Sequence, residues 1–187
     1  MDDSTKVLYR EILERYIKVV WTHEIHLCEA NIQLKKNKRR NTWLTTLSVL
    51  VSAAAITNIF KWLPEEVILP LLGLLSLILT FFTVKYKTDS LGKTAAENRQ
   101  YAALMHNLRN RYAGLLSEIK ADALSKEQIV SRRESLENEE VIIYSGIVPI
   151  TSSEAVGMAD KALKKNQVAT TTDEEIAIIV SPNLQIS

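Results

Sequence analysis

Two runs without an ionisable side chain constrain this chain more than any other feature. Asn41 to Phe60 reads NTWLTTLSVLVSAAAITNIF, and Val67 to Val84 reads VILPLLGLLSLILTFFTV. A helix rises about 1.5 Å per residue, so about 20 residues match a hydrocarbon core about 30 Å thick. Both runs are of crossing length, and Pro70 stands near the start of the second, where a missing amide costs least. Two buried helices of a soluble bundle would have to be apolar on every face and hidden by a remainder too polar to cover them. The expected fold is an all-α membrane protein, a two-helix transmembrane hairpin continuous with a cytoplasmic antiparallel helical stalk or bundle. The expected division is an N-terminal cytoplasmic amphipathic helix at 1–40, spans at 41–60 and 67–84, and a short external loop at 61–66. A cytoplasmic helical region at 85–166 and a flexible tail at 167–187 follow.

Average composition hides this signal, because 24% charged and 47% apolar residues with a net charge of +1 describe many soluble proteins. The distribution is more telling. Residues 1–40 and 85–124 each carry a net +3, residues 125–187 carry −4, and the loop KWLPEE carries −1. Lys35, Lys36, Lys38, Arg39 and Arg40 abut the first span, and Lys85, Lys87 and Lys93 follow the second. By the positive-inside rule both termini are expected in the cytoplasm, with the protein multi-pass in its membrane. Trp43 and Trp62 flank the first span as interfacial anchors do. The same basic run suits anionic headgroups; its other reading, a nucleic-acid patch, requires a further partner, and no direct nucleic-acid binding is expected. Cys28 is the lone cysteine, which excludes an intrachain disulfide and fits a reducing compartment. No secretory signal is expected.

Each span carries a small or hydroxylated stripe at helical spacing. On the first it is Asn41, Thr45, Ser48, Ser52 and Ala55; on the second, Gly73, Ser76, Thr80 and Thr83. Such faces let membrane helices approach closely, with Leu, Ile and Phe turned to lipid. The stripes serve packing within the hairpin or between protomers, or one of them borders a water-filled path in an oligomer, because hydroxyls tolerate water where Leu does not.

Residues 5–40 lack Pro and Gly and place Leu8, Ile12, Tyr16, Val19, His23, His26, Leu27, Ala30 and Leu34 on one helical face. This helix is expected to run unbroken into the first span. The pattern returns in Leu91, Ala95, Asn98, Ala102, Met105, Leu108, Tyr112, Leu116 and Ile119. A hairpin brings the two stripes together antiparallel as a stalk interface. Ser125-Lys-Glu-Gln128 and Thr151-Ser-Ser-Glu154 are capping-box patterns, opening helices that run to about Tyr144 and Asn166. Beyond them the chain reads as a mobile tail, whose IAIIV segment at 176–180 has the alternative of adding as a strand to a partner's sheet.

No phosphate-binding glycine loop, nucleophile elbow or paired-cysteine metal motif occurs, so no enzyme activity and no cofactor is expected. His23 and His26 share a face at i, i+3, but two ligands fall short of a metal site without help from His106 or another protomer. Histidines hydrogen-bonded within a helix interface are the plainer reading.

In this order of elements the chain resembles the SLATT family of bacterial two-transmembrane effectors. The resemblance is carried by W-x-H-x-I-H at Trp21 to His26, NKRR at Asn37 to Arg40, D-x-L-G at Asp89 to Gly92 and L-R-x-x-Y-x-x-L-L at Leu108 to Leu116. Tyr144, Pro149, Thr151, Ala155, Ala159 and Leu163 look like its closing region, so the match spans about residues 7–165. Asn98 stands where the resemblance leads one to expect a His. The resemblance implies a pore-forming or membrane-disrupting effector in conflict systems, antiphage defence included. It further implies a homo-oligomer in the lipid bilayer beside a nucleotide-signal synthase, sensor or reverse transcriptase. Activation would then come from another protein, a ligand at the cytoplasmic bundle, or a change of oligomer.

Overall fold

The first helix begins where Asp2 caps it, accepting the Thr5 amide on Oδ1 at 2.9 Å and the Ser4 hydroxyl on Oδ2 at 2.8 Å. Without Pro or Gly to stop it, α1 runs from Asp3 to Ile56. A computed structural model of the chain describes residues 2–56, 65–87 and 90–165. Among these lie α1, α2 (Glu65–Lys87), α3 (Leu91–Lys120), α4 (Lys126–Ser145) and α5 (Ser153–Lys165), with no strand. The sequence readings at residues 57–64, at Asp89 and in the tail from 166 lie outside the described residues. Glu65 and Glu66, read from sequence as the end of the loop, belong to the first turn of α2.

The chain divides into two compact units, one of residues 1–31 and 95–187, the other of residues 32–94. In the first, α1 and α3 pack antiparallel, since His23 meets Ala102 while His26 meets Asn98. Ion pairs lay α4 parallel to α1, Arg133 with Glu11 at 2.6 Å and Arg15 with Glu137 and Glu140 at 3.1 and 3.3 Å. The same helix runs antiparallel to α3, through Glu118 with Arg132 and Arg111 with Glu139. Three helices therefore enclose a core that includes Tyr9, Ile12, Val19, Met105, Leu108 and Leu136. Tyr16, Ala95, Ala102, Tyr112 and Leu116 are buried as well, while Leu8 is half-buried against this core.

Being packed by both α3 and α4, α1 buries a wider arc than the single stripe read from sequence, adding Tyr9, Leu13, Ile17 and Val20. Leu34, assigned to that stripe, is exposed, and Leu91 is half-buried in the other unit. α5 contributes Ala155, Ala159 and Leu163 at i, i+4, i+8, two small residues that permit close approach.

Capping fixes where α4 and α5 start. At α4 the box is complete: the Ser125 amide donates to Gln128 Oε1 at 2.8 Å, and the Gln128 amide donates to Ser125 Oγ. At α5 the cap lies one residue later than the Thr151 pattern indicated. Ser152 Oγ accepts the Ala155 amide at 3.2 Å, because the Ser152 hydroxyl is itself positioned by Glu29.

Candidate functional site

The unit of residues 32–94 contains the apolar helix. Among the described residues one helix is long and apolar enough to cross a membrane, α2, with the candidate span starting at Pro70, a mean hydropathy of 1.4 over its most apolar stretch and none of that stretch buried. In water such an exposed surface would be an aggregation site. Leu77 is 70% exposed, and Leu74, Phe81 and Val84 are more than half exposed.

The side chains of this helix that are turned inward are Leu72, Leu75, Leu79, Phe82 and Tyr86, spaced 3, 4, 3 and 4 residues apart. On α1 the half-buried positions are Arg40, Leu44, Leu47 and Val51, spaced 4, 3 and 4. Thr45, Ser48, Ser52, Gly73, Ser76, Thr80 and Thr83 are all exposed. A Cβ placed on Gly73 would meet nothing within 4 Å. Within the single chain the partly covered positions are thus the large apolar side chains with Arg40, which make the seam, while the small and hydroxylated stripes stay exposed, as packing between protomers or a water path would each require. The outward hydroxyls are satisfied by their own helix, Thr80 donating to the Ser76 carbonyl at 2.8 Å and Thr83 to the Leu79 carbonyl at 2.7 Å.

Before that helix come the basic residues of α1. Lys35, Lys36, Lys38 and Arg39 are exposed. Arg40 lies over the Tyr86 ring, 5.2 Å from its centroid, and donates to Asn37 Oδ1 at 2.9 Å.

In the other unit, polar side chains form a ladder through the core. His23 Nδ1–H donates to the Ala102 carbonyl at 2.9 Å, and His26 Nδ1–H donates to Asn98 Oδ1 at 2.7 Å. Because both acceptors are carbonyl oxygens, the donors fix the Nδ1–H form of each neutral ring. Burial lowers both pKa values below the ordinary histidine range. His106 approaches His23 with ring centroids 5.3 Å apart, yet no group of three or more His, Cys, Asp or Glu among the described residues is placed to hold a metal ion. Cys28 is buried and its thiol is pushed up by that burial, which makes it a poor nucleophile.

Two further rungs are carboxylates. Glu29, 2% exposed, accepts the Ser152 amide at 2.9 Å and its hydroxyl at 2.6 Å, which fastens the start of α5 to α1. Glu140 accepts from Arg15 and from the Tyr112 hydroxyl at 3.0 Å, and burial followed by this carboxylate raises the Tyr112 pKa. The Tyr101 ring lies tilted against His26 with centroids 4.4 Å apart, and its hydroxyl pKa is pushed up to about 12, chiefly by burial. Glu29, Glu140, Arg15 and Ser152 escape a sequence reading built on apolar spacing, although Glu140 falls four residues after Leu136 and eleven after Ile129, in phase with the buried face of α4.

Among known proteins, no curated protein and no solved structure matches the chain. A family model does match, over residues 8–175, and so takes in both units. The match and the unburied apolar helix agree in marking a membrane protein. The chain belongs to the SMODS and SLOG-associating 2TM effector domain family 4 (SLATT_4).

Proposed function

We propose that the chain is an effector of a bacterial conflict or antiphage defence system, held in the inner membrane by two spans with both termini in the cytoplasm. Once triggered, several copies assemble into a pore or disrupt the bilayer. The observation that carries this reading is α2 itself, unburied and apolar, with Ser76, Thr80 and Thr83 turned out of the chain toward whatever surrounds it. Two helices per chain enclose no water path, so a pore requires several protomers. The four-helix unit is the element that a partner engages, whether a sensor or a nucleotide-signal synthase.

A second reading is a passive anchor that recruits a partner through the four-helix unit. It is favoured by the exposed apolar side chains between α4 and α5, where Ile147 is 97% and Ile150 87% exposed, with Ile142 nearby in sequence. Induced expression separates the two. An effector stops growth and collapses membrane potential, read with a potential-sensitive dye, whereas an anchor is tolerated.

Topology has its own test. In a background with Cys28 replaced, a membrane-impermeant thiol reagent is expected to label a cysteine placed at Pro64 and to miss one placed at Thr5 or Thr171. The reverse pattern overturns the orientation.

A further inference from the structure

Within the unit of residues 32–94 a cleft of about 540 Å³ opens between the middle of α1 and the end of α2. Its lining changes character along its length. Lys36, Arg39 and Arg40 stand at one end, and Trp43, Leu47 and Phe82 toward the other. We propose that this cleft binds one anionic phospholipid, with the three cations on the phosphate and the apolar residues along the acyl chains. The inference rests on the membrane reading above and goes beyond it, from a charged flank to a built site.

The geometry favours a lipid over a diffuse attraction in three ways. First, the Arg40 guanidinium is held from two sides, by the Tyr86 ring at 5.2 Å and by Asn37 Oδ1 at 2.9 Å. A guanidinium already in place loses little freedom when it meets phosphate, and its planar fork suits two phosphate oxygens. Second, Tyr86 stacks on Phe82 with centroids 5.6 Å apart and planes inclined by 20°, so guanidinium, phenol and phenyl form one wall that grades from polar to apolar. Third, the axial register fits a bilayer boundary. Lys36 to Leu47 spans about 16 Å of helix, while the headgroup region of one leaflet is about 5–8 Å deep. The cations therefore lie at headgroup level when Trp43 sits in the interface and Leu47 in the hydrocarbon. A free phosphate has no use for the apolar half of this cleft.

Trp43, 67% exposed at the cleft, supplies the readout. The full-length chain with Trp21→Phe and Trp62→Phe is reconstituted in phosphatidylcholine vesicles that contain a small fraction of chain-brominated phosphatidylglycerol or chain-brominated phosphatidylcholine. Brominated phosphatidylglycerol is expected to quench Trp43 several-fold more strongly. Lys36→Gln/Arg40→Gln is expected to abolish that preference, since a single near-surface cation is worth about fivefold. Lys35→Gln/Lys38→Gln removes the same charge from the same run but from outside the cleft, and is expected to leave a clear preference for brominated phosphatidylglycerol. Tyr86→Leu keeps every charge and is expected to weaken the preference by about two- to fivefold through loss of the stacked ring.

Equal losses in the two double variants with no effect of Tyr86→Leu would reduce the cleft to diffuse surface attraction and overturn the proposal. Relief of quenching by millimolar inorganic phosphate would overturn it in favour of a soluble anion. Strong but equal quenching by both brominated lipids would overturn the site and leave the membrane reading standing. Absence of quenching by either would overturn both.

Discussion

The histidines of the four-helix unit set its response to acid. His26 is buried, donates to Asn98 and faces Tyr101 from α3 and Glu29 from its own helix; His23 lies near Ala102, His106 and Arg109, with Glu24 on its own helix. Both folded pKa values are lowered, so between the ordinary value of 6.5 and the folded values the unfolded chain binds more protons than the folded one. Stability is then fully present above about pH 6.5 and is lost as pH falls below it. Denaturant midpoints of the detergent-solubilised chain are expected to drop from pH 7.5 to pH 5.5, roughly as two titrating groups require, and His26→Gln is expected to flatten the slope. A midpoint that holds level across this range would contradict the burial of the two rings. Tyr101 makes the opposite case. Its hydroxyl is buried with no hydrogen-bond partner among the described residues, whereas its ring is well used against His26. Tyr101→Phe keeps the ring and removes the unpaired group, and is expected to raise stability by about 1 kcal/mol, read as a higher melting temperature.

Among the elements, α3 carries a glycine that nothing in the unit requires. Gly114 is helical and exposed, and a Cβ there would meet no atom within 4 Å. Gly114→Ala is expected to stabilise the unit by about 0.5–1 kcal/mol through helix propensity alone. Loss of stability instead would mean that a neighbouring protomer uses this surface. The glycine also shows how far periodicity reads. The 3- and 4-residue spacing of apolar side chains reveals the helices, and the Ser125 box reveals where α4 starts, because these are local signals. Three features are not local. The second buried arc of α1, Tyr9, Leu13, Ile17 and Val20, is itself apolar at helical spacing, but which helix covers it and in which direction depends on α4, and nothing within residues 5–40 reports that. The start of α5 at Ser152 rather than Thr151 depends on Glu29, distant in sequence. The turn after α3 closes without glycine: Asp122 adopts φ 55°, with its amide on the Ile119 carbonyl and the Ala123 amide on the Glu118 carbonyl. Spacing likewise reveals that Ser76 and Thr80 share a face but not that the face turns outward, since that depends on which residues fill the seam.

At the scale of the whole molecule, the outward hydroxyl stripes decide between two ways of working. Ser48 and Ser52 on α1 and Ser76 and Thr80 on α2 lie outside the seam within the chain, so bulk added there acts on whatever meets the chain from outside. If a stripe is the packing surface between protomers, paired Leu substitutions force the helices apart and assembly fails. If it borders a conducting path, assembly survives while the path narrows and dewets. Cross-linked oligomer size and ion leak after induction, measured together for Ser48→Leu/Ser52→Leu and for Ser76→Leu/Thr80→Leu, separate these outcomes. We expect the α2 pair to assemble and to lose most of its leak, because Thr80 and Thr83 spend their donors within the helix and leave oxygen lone pairs facing outward, a surface water can wet without any backbone amide being exposed. The α1 pair is expected to keep both properties or to lose assembly. If both pairs assemble and still leak like the parent chain, neither stripe lines a pore, and the effector acts where its exposed Leu77 and Phe81 meet lipid.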